Sequence, residues 1–429
     1  MFRNIYWKLS QLRKIIKFAS LNPREHSMQF LNPLFYLIIF LVFLYFPVAM
    51  FQLILILKGW TKGEDRLFTR FGRHEHRHMV TTPILKNNTY WSKRRVIAVI
   101  CTNGKNPGVV DKLTLILKSY TIPLDTYVLK EEYDTHNYIG DEIVVPADYT
   151  CPNGSKHKLR ALDYESKWLK KMNYSAETFV IHLDDDSVVS EEYVEYVYRM
   201  AEHGGQGHLR LREPGIHLFS TLADMTRVSD CAAFCTYFNK KGKPMAVHGE
   251  GLVIRADIEE EIGWDFGTYG ADDIIMSQLI VKHGYKFGYI PFPIFIAPPT
   301  SLRDFYKQRR RWIVSMLWAR DYIKKINKKM FYWLIYRYAV GWTGFFGVFL
   351  LIPALLFHFQ FPLYISVISS INTFCYFVFY QYGAIKTGKK WSPVMLALQF
   401  VIALYEGGTL IYSLLYPPDK NVFDVITKV

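Results

Sequence analysis

Residues Leu31 to Leu57 run for 27 positions without a charged side chain. At 1.5 Å per residue such a stretch makes a helix about 40 Å long, enough to cross a bilayer once when tilted and too short to cross it twice. Pro33 and Pro47 lie inside it and can kink it. Three more apolar stretches occupy roughly 331–357, 361–385 and 393–416. Half of all residues are hydrophobic and 17% are aromatic, high for a chain that is soluble throughout. Three regions follow. Residues 1–58 hold an N-terminal amphipathic helix and a first membrane segment, 59–330 a mixed polar domain, and 331–429 about three spans.

The net charge of +14 fits a nucleic-acid binder or a membrane surface. The cations sit beside apolar stretches, as at Arg13, Lys14 and Lys17 or at Lys386, Lys389 and Lys390, which favours membrane lipids as partners. No RNA- or DNA-binding motif accompanies them, so nucleic acid is not an expected partner. In residues 4–18, Ile5, Leu9, Leu12 and Ile16 share one helical face, a membrane-surface pattern. The connection at 358–361 is uncharged and the one at 386–391 is basic, so the positive-inside rule puts the second in the cytosol. Two spans back, the 59–330 domain falls on the same side. The expectation is an integral, multi-pass membrane protein with a cytosolic catalytic domain. The basic N-terminus resists it: either the 31–57 segment re-enters without crossing, or the rule is broken there. Five scattered cysteines suggest no disulfide framework, and Cys231 and Cys235, four apart with no partner pair in the sequence, suggest no zinc site.

Within the polar domain, Arg95–Cys101 is a β-branched apolar run ending in the turn-like Thr102-Asn103-Gly104, as a buried parallel strand does. Tyr127–Leu129, Glu142–Val145 and Phe179–Leu183 read as further strands, with helices at 109–120 and 158–171. The alternation predicts an α/β fold on a mostly parallel sheet, with ligands beyond the strands' carboxyl ends.

Three motifs carry chemistry. Asp184-Asp185-Asp186 ends an apolar strand. Adjacent carboxylates repel and call for a cation, and hard oxygen ligands suit Mg²⁺ or Mn²⁺ bridging a diphosphate, although a solvated helix cap has the same composition. Asp272-Asp273 follows Tyr269-Gly270-Ala271 and opens an apolar helix, where one carboxylate could serve as a general base or the pair could merely cap the helix. Gln308-Arg309-Arg310-Arg311-Trp312 sets three guanidiniums beside an indole, fit for a diphosphate and a sugar or for lipid headgroups. The order decides among these readings: an Asp cluster, an acidic pair 87 residues later, Gln-x-x-Arg-Trp 35 residues beyond that, then spans.

That order resembles the family 2 glycosyltransferases of the cellulose and hyaluronan synthase type. The resemblance implies a GT-A fold, a Rossmann-like cytosolic domain between N- and C-terminal transmembrane helices, and inversion at the anomeric carbon. A narrower resemblance, to the egghead-type β-1,4-mannosyltransferases, rests on Glu142-Ile143-Val144-Val145-Pro146, Lys158-x-Arg160-Ala161-Leu162, His182-Leu183-Asp184, Gly205-Gln206-Gly207, Thr221-Leu222-Ala223-Asp224 with Arg227-Val228-Ser229-Asp230, and Gln308-x-x-Arg311-Trp312. It runs from about residue 95 to about 320. It implies mannose transfer from GDP-mannose to a lipid-linked sugar or glycolipid, with Mg²⁺ or Mn²⁺.

Carried over by position, Thr102, Asn103, Lys158, Asp184, Asp185, Gln308, Arg311 and Trp312 would bind the nucleotide sugar, and Asp184 and Asp186 the metal. Asp273 would be the base beside Asp272, and His248, Gly249, Glu250 and Trp312 would meet the acceptor. The sequence departs from the family at three places. It has Asp-Asp-Asp for Asp-Glu-Glu, Ala-Asp-Asp for Ala-Glu-Asp, and His248-Gly249-Glu250-Gly251 where Lys-Gly-Ser is usual, so the acceptor is the loosest inference. Glu250 is equally suited to a sugar hydroxyl and to a surface lysine. Glu406, inside the last apolar stretch, is costly there and marks either a function or a break in the helix. Two other readings share these motifs: a processive polysaccharide synthase using a UDP-sugar, and a membrane receptor with an inactive transferase-like domain.

Overall fold

The structure is a computed structural model, and it describes residues 26–60, 93–174, 176–212, 218–345, 347, 362–387 and 393–417. The amphipathic segment expected at 4–18, and Lys389 and Lys390, lie outside the described residues.

In chain order the elements are α1 (His26–Trp60), β1 (Arg95–Cys101), α2 (Pro107–Lys118), β2 (Asp125–Glu131), β3 (Asp141–Val145), α3 (Lys158–Lys171), β4 (Thr178–Asp184), β5 (Val188–Val189), α4 (Glu191–Arg199) and β6 (Gly204–Leu211). Then come α5 (Leu218–Asp230), a π-helical turn (Cys231–Cys235), α6 (Thr236–Lys240), β7 (Leu252–Arg255), α7 (Ala256–Ile262), α8 (Asp272–Lys282) and β8 (Phe287–Ile296). The chain closes with α9 (Leu302–Trp318), α10 (Arg320–Gly341), α11 (Leu363–Lys386) and α12 (Pro393–Leu415).

The strands form one eight-stranded sheet in the order β3-β2-β1-β4-β7-β6-β8-β5. Pairing is parallel from β3 to β4 and between β6 and β8. It is antiparallel at β4–β7, β7–β6 and β8–β5. Four of its seven pairings are parallel, which agrees with the mostly parallel α/β sheet expected. β1 is an interior strand, third in that order, and Val96 through Ile100 are buried because helices cover both faces. In register, Val99 lies between Tyr127 and His182. The sheet therefore delivers Thr102, just past β1, and Asp184, at the end of β4, to the same edge. That edge is the carboxyl end of the parallel strands, where open α/β sheets bind ligands.

A polar cluster lies beneath β4. His182 is 3.1 Å from the Glu259 carboxylate, and the Trp264 indole N–H donates to Glu259 at 2.6 Å. Glu165 of α3 is buried against this group. Burial first, and then the Glu259 charge, push its carboxyl well above the ordinary carboxylate range. The cluster ties α3, β4 and α7 together, and α3 and β4 carry two of the motif residues.

Among the described residues, three helical segments are long and apolar enough to cross a membrane: Tyr36–Gly59, Leu363–Lys386 and Leu398–Leu415. They correspond to the first apolar stretch and to the last two. Of the stretch at 331–357, the first part is the end of α10 and a 3-10 turn at Trp342–Phe345, and most of the rest lies outside the described residues. The chain divides into two compact units, one of residues 1–50 with 343–376 and one of residues 51–342 with 377–429. In the first, Val42 packs with Ile365, and the Asn372 amide donates to the Val42 carbonyl at 2.6 Å. The second contains the sheet and every motif residue.

Candidate active site

The turn after β1 has its shape because Gly104 adopts φ +77°, which a side chain would resist, and a Cβ there would lie 2.8 Å from the Asp134 carboxyl. The Gly104 N–H donates to the Thr102 hydroxyl at 3.1 Å, and the Lys105 N–H donates to the Asn103 side chain at 3.0 Å. Thr102 and Asn103 thus sit in one tight turn at the sheet's carboxyl edge.

Two helices begin at this edge, and each follows a residue in a costly conformation. His157, just before Lys158, has φ 56°, and Ala271, just before Asp272, has φ 59°. Non-glycine residues in the left-handed region cost on the order of 1–3 kcal/mol and cluster at functional sites. Here each one aims the first turn of a helix, α3 or α8, at the end of β4.

The result is a compact charged cluster. The Lys158 ammonium is 2.5 Å from Asp184 Oδ1 and 3.6 Å from Asp272 Oδ2. Burial works against that ammonium, but Asp184 and Asp272 outweigh it and hold its pKa well above the ordinary lysine value. Asp273 accepts the Ile274 N–H at 2.8 Å. Burial, and next the Asp272 charge, push its carboxyl up to about 7. Asp185 accepts from the Asn106 amide at 3.5 Å. The loop before β7 covers the cluster: a Cβ on Gly249 would lie 2.9 Å from the Lys158 ammonium and 4.0 Å from both Asp184 and Asp272. His248, Gly249 and Glu250 are therefore placed beside the carboxylates.

Gln206 of β6 braces this loop. Its side-chain oxygen accepts the His248 N–H at 2.9 Å, while its amide donates to the His248 and Glu250 carbonyls. Glu250 does not meet a surface lysine. The partner is Arg227 of α5, half-buried and 2.5 Å away. Burial opposes its charge, but Arg227 holds the carboxyl below the ordinary range. Cys231 and Cys235, which have no partner pair in the sequence, have one histidine beside them in three dimensions: His248 Nε2 comes within 3.5 Å of Cys235 Sγ.

The Gln-x-x-Arg-Trp helix, α9, is capped by Ser301, whose hydroxyl accepts the Asp304 N–H at 3.1 Å. Its three arginines do not form one anion clamp. Arg309 points inward, 2.8 Å from Asp224 and 2.9 Å from Glu406, and donates to the Gln308 side chain at 2.8 Å. Glu406 of α12 is thus explained by an ion pair. Trp312 packs against two cations, with its ring centroid 4.4 Å from the Arg309 guanidinium and 4.7 Å from that of Arg227. Arg311 is half-buried on the same helix.

Sequence reasoning missed Arg227 and Arg309 as the cations serving Glu250 and Glu406. A signal existed for the second, since an acid in an apolar stretch calls for a cation elsewhere in the chain.

The sequence is similar to those of known proteins. The chain is 27% identical to the β-1,4-mannosyltransferase bre-3 of Caenorhabditis elegans over 286 residues, 63% of this chain and 60% of that protein. It is 30% identical to the β-1,4-mannosyltransferase egh of Drosophila melanogaster over 187 residues, 41% of this chain and 40% of that one. The matches thus span less than two thirds of either relative. A mannosyltransferase from Pyrobaculum calidifontis, solved with GDP-Man and Mn²⁺, aligns over 86% of this chain and 99% of its own at 13% identity and a TM-score of 0.45, a likeness too slight to bear on ligands. The profile of the glycosyl transferase family group 2 matches residues 179–405, more than half of the sequence, and the chain belongs to that family.

Proposed function

We propose that this protein is an inverting mannosyltransferase that moves mannose from GDP-mannose to a lipid-linked sugar or glycolipid, forming a β-1,4 linkage on the cytosolic side of the membrane. The observation that carries the reading is the convergence, around the Lys158 ammonium, of an acid from a strand end and the acid pair that opens α8. The names of the relatives support mannose as the sugar. The candidate spans support an acceptor that stays in the bilayer.

In this reading Thr102 and Asn103 meet the nucleotide, with Asp184 and Asp185 close by. Lys158 neutralises the donor's diphosphate, and Gln308, Arg311 and Trp312 close over it. The acceptor lies along His248, Gly249, Glu250 and Trp312. Asp273 takes the proton from the acceptor hydroxyl as that oxygen attacks the anomeric carbon, and the bond to the diphosphate breaks on the opposite face. Asp272 holds Lys158 and, by its own charge, keeps Asp273 basic near neutral pH.

Asp184 and Asp186 suit a divalent cation. Carboxylates outnumber cations at this edge: Asp184, Asp185, Asp186, Asp272, Asp273 and Glu250 against Lys158 and Arg227. Mg²⁺ and Mn²⁺ are commonly held by one or two carboxylates with substrate phosphates, so a complete protein cage is not required. Bound there, the ion neutralises charge on the departing nucleoside diphosphate.

A donor screen tests the proposal. Purified protein with Mn²⁺ or Mg²⁺ is offered GDP-mannose, UDP-glucose, UDP-N-acetylglucosamine and UDP-glucuronate, and nucleoside diphosphate release is measured with and without a glucosyl lipid. The expected result is release from GDP-mannose alone, stimulated by the lipid. Preference for a UDP-sugar would overturn the mannose assignment and favour a polysaccharide synthase.

A further inference from the structure

We propose that Cys231, Cys235 and His248 form a binding site for a single Zn²⁺ ion beside the carboxylate cluster. Their candidate ligand atoms, two thiol sulfurs and an imidazole nitrogen, all lie within 4.8 Å of one another. Zn–S bonds of about 2.3 Å and Zn–N bonds of about 2.0–2.1 Å at tetrahedral angles put sulfur and nitrogen ligands about 3.5–3.6 Å apart. The Cys235 Sγ to His248 Nε2 distance is 3.5 Å. Thiolate with imidazole is also the donor set that selects zinc over the hard cations suited to Asp184 and Asp186.

The surroundings fit a metal site. The chain is π-helical over Cys231–Cys235, and one-turn bulges of this kind often mark functional positions. The Leu209 N–H donates to Cys231 Sγ at 3.3 Å, which favours a thiolate there. Gln206 fixes the backbone of His248 through its N–H and its carbonyl. These contacts orient the ligands as outer-shell partners do. Both cysteines are buried, and His248 is half-buried. Three protein ligands leave the fourth tetrahedral position to water or another small ligand. A bound ion would tie the π-helical turn to the His248–Gly251 loop, which covers Lys158 and Asp272.

The test needs no sugar substrate, so it stands or fails apart from the transfer reading. Full-length protein carrying a tag without histidine is purified, loaded with Zn²⁺ or Co²⁺, desalted and examined for bound metal by mass spectrometry and for absorption by cobalt. The expected result is one metal ion per chain and the intense near-ultraviolet thiolate-to-cobalt bands of a tetrahedral site, unchanged in Cys151→Ser and absent from the Cys231→Ser/Cys235→Ser double variant. Cobalt held by the carboxylates would give no thiolate bands. Wild-type protein that retains no metal, retains cobalt without those bands, or keeps both signals in the double variant would overturn the proposal. The wild-type spectrum decides even if the double variant fails to fold.

Discussion

Asp273→Asn should lower turnover by about 10²–10⁴-fold, the range a positioned general base contributes. Asparagine keeps the shape and the contact with the Ile274 N–H but cannot take a proton at neutral pH. Donor affinity should change by less than about threefold, since an interaction made only in the transition state leaves ground-state binding alone. The pH profile supplies a second reading. Burial and the Asp272 charge push the Asp273 carboxyl up to about 7, and the base works only when deprotonated. Wild-type kcat/KM should therefore rise with pH and level off above about 7, falling roughly tenfold per unit well below it. The residual activity of the variant should lack that acid limb. Equal loss of donor binding and turnover would mean instead that Asp273 supports the donor site or the fold.

Arg309→Met should destabilise the second unit by about 3–5 kcal/mol, because it strands the fully buried Asp224 carboxylate and the half-buried one of Glu406. Asp224 is fully buried and Glu406 lies within the last candidate span, and both depend on this guanidinium. Removing one partner of a buried ion pair costs more than removing the whole group. The triple variant Arg309→Met/Asp224→Asn/Glu406→Gln should thus recover much of the loss. Thermal unfolding in detergent reads both effects. A single variant as stable as wild type would show that the three groups are solvated in the membrane-bound protein, and that α9 is held to α12 by packing alone.

The half of the sheet built from local, apolar runs was legible. β1, the strands at 127–129, 142–145 and 179–183, and the helix at 158–171 were evident because β-branched runs and helical periodicity are local signals. β6 and β8 were not. Gly204–Leu211 is polar and glycine-rich, and β8 contains Pro291 and Pro293. Each depends on the other: a Cβ on Gly207 would lie 2.2 Å from the Phe292 carbonyl, and the pairing shifts register between Gln206 and His208. No single segment encodes such a fit.

The motif residues show the same division. Acids at a strand end and at a helix start announce themselves locally. Their partners do not: Lys158 reaches Asp184 and Asp272, Arg227 reaches Glu250, Arg309 reaches Glu406, and His248 reaches Cys235 only once the chain is folded. Those pairings turned Arg309 from a candidate diphosphate ligand into a buried strut, and two isolated cysteines into part of a metal-binding geometry.

The central claim is that one displacement, assisted by Asp273, joins the donor sugar to the acceptor. The anomeric configuration of the product tests it most directly. Glycolipid made from GDP-mannose, whose mannose is α-linked, is purified, and the one-bond carbon–hydrogen coupling at the new anomeric centre is read by NMR. A β-mannosyl product is predicted. An α-mannosyl product would mean retention, and would contradict both the single displacement and the role given to Asp273.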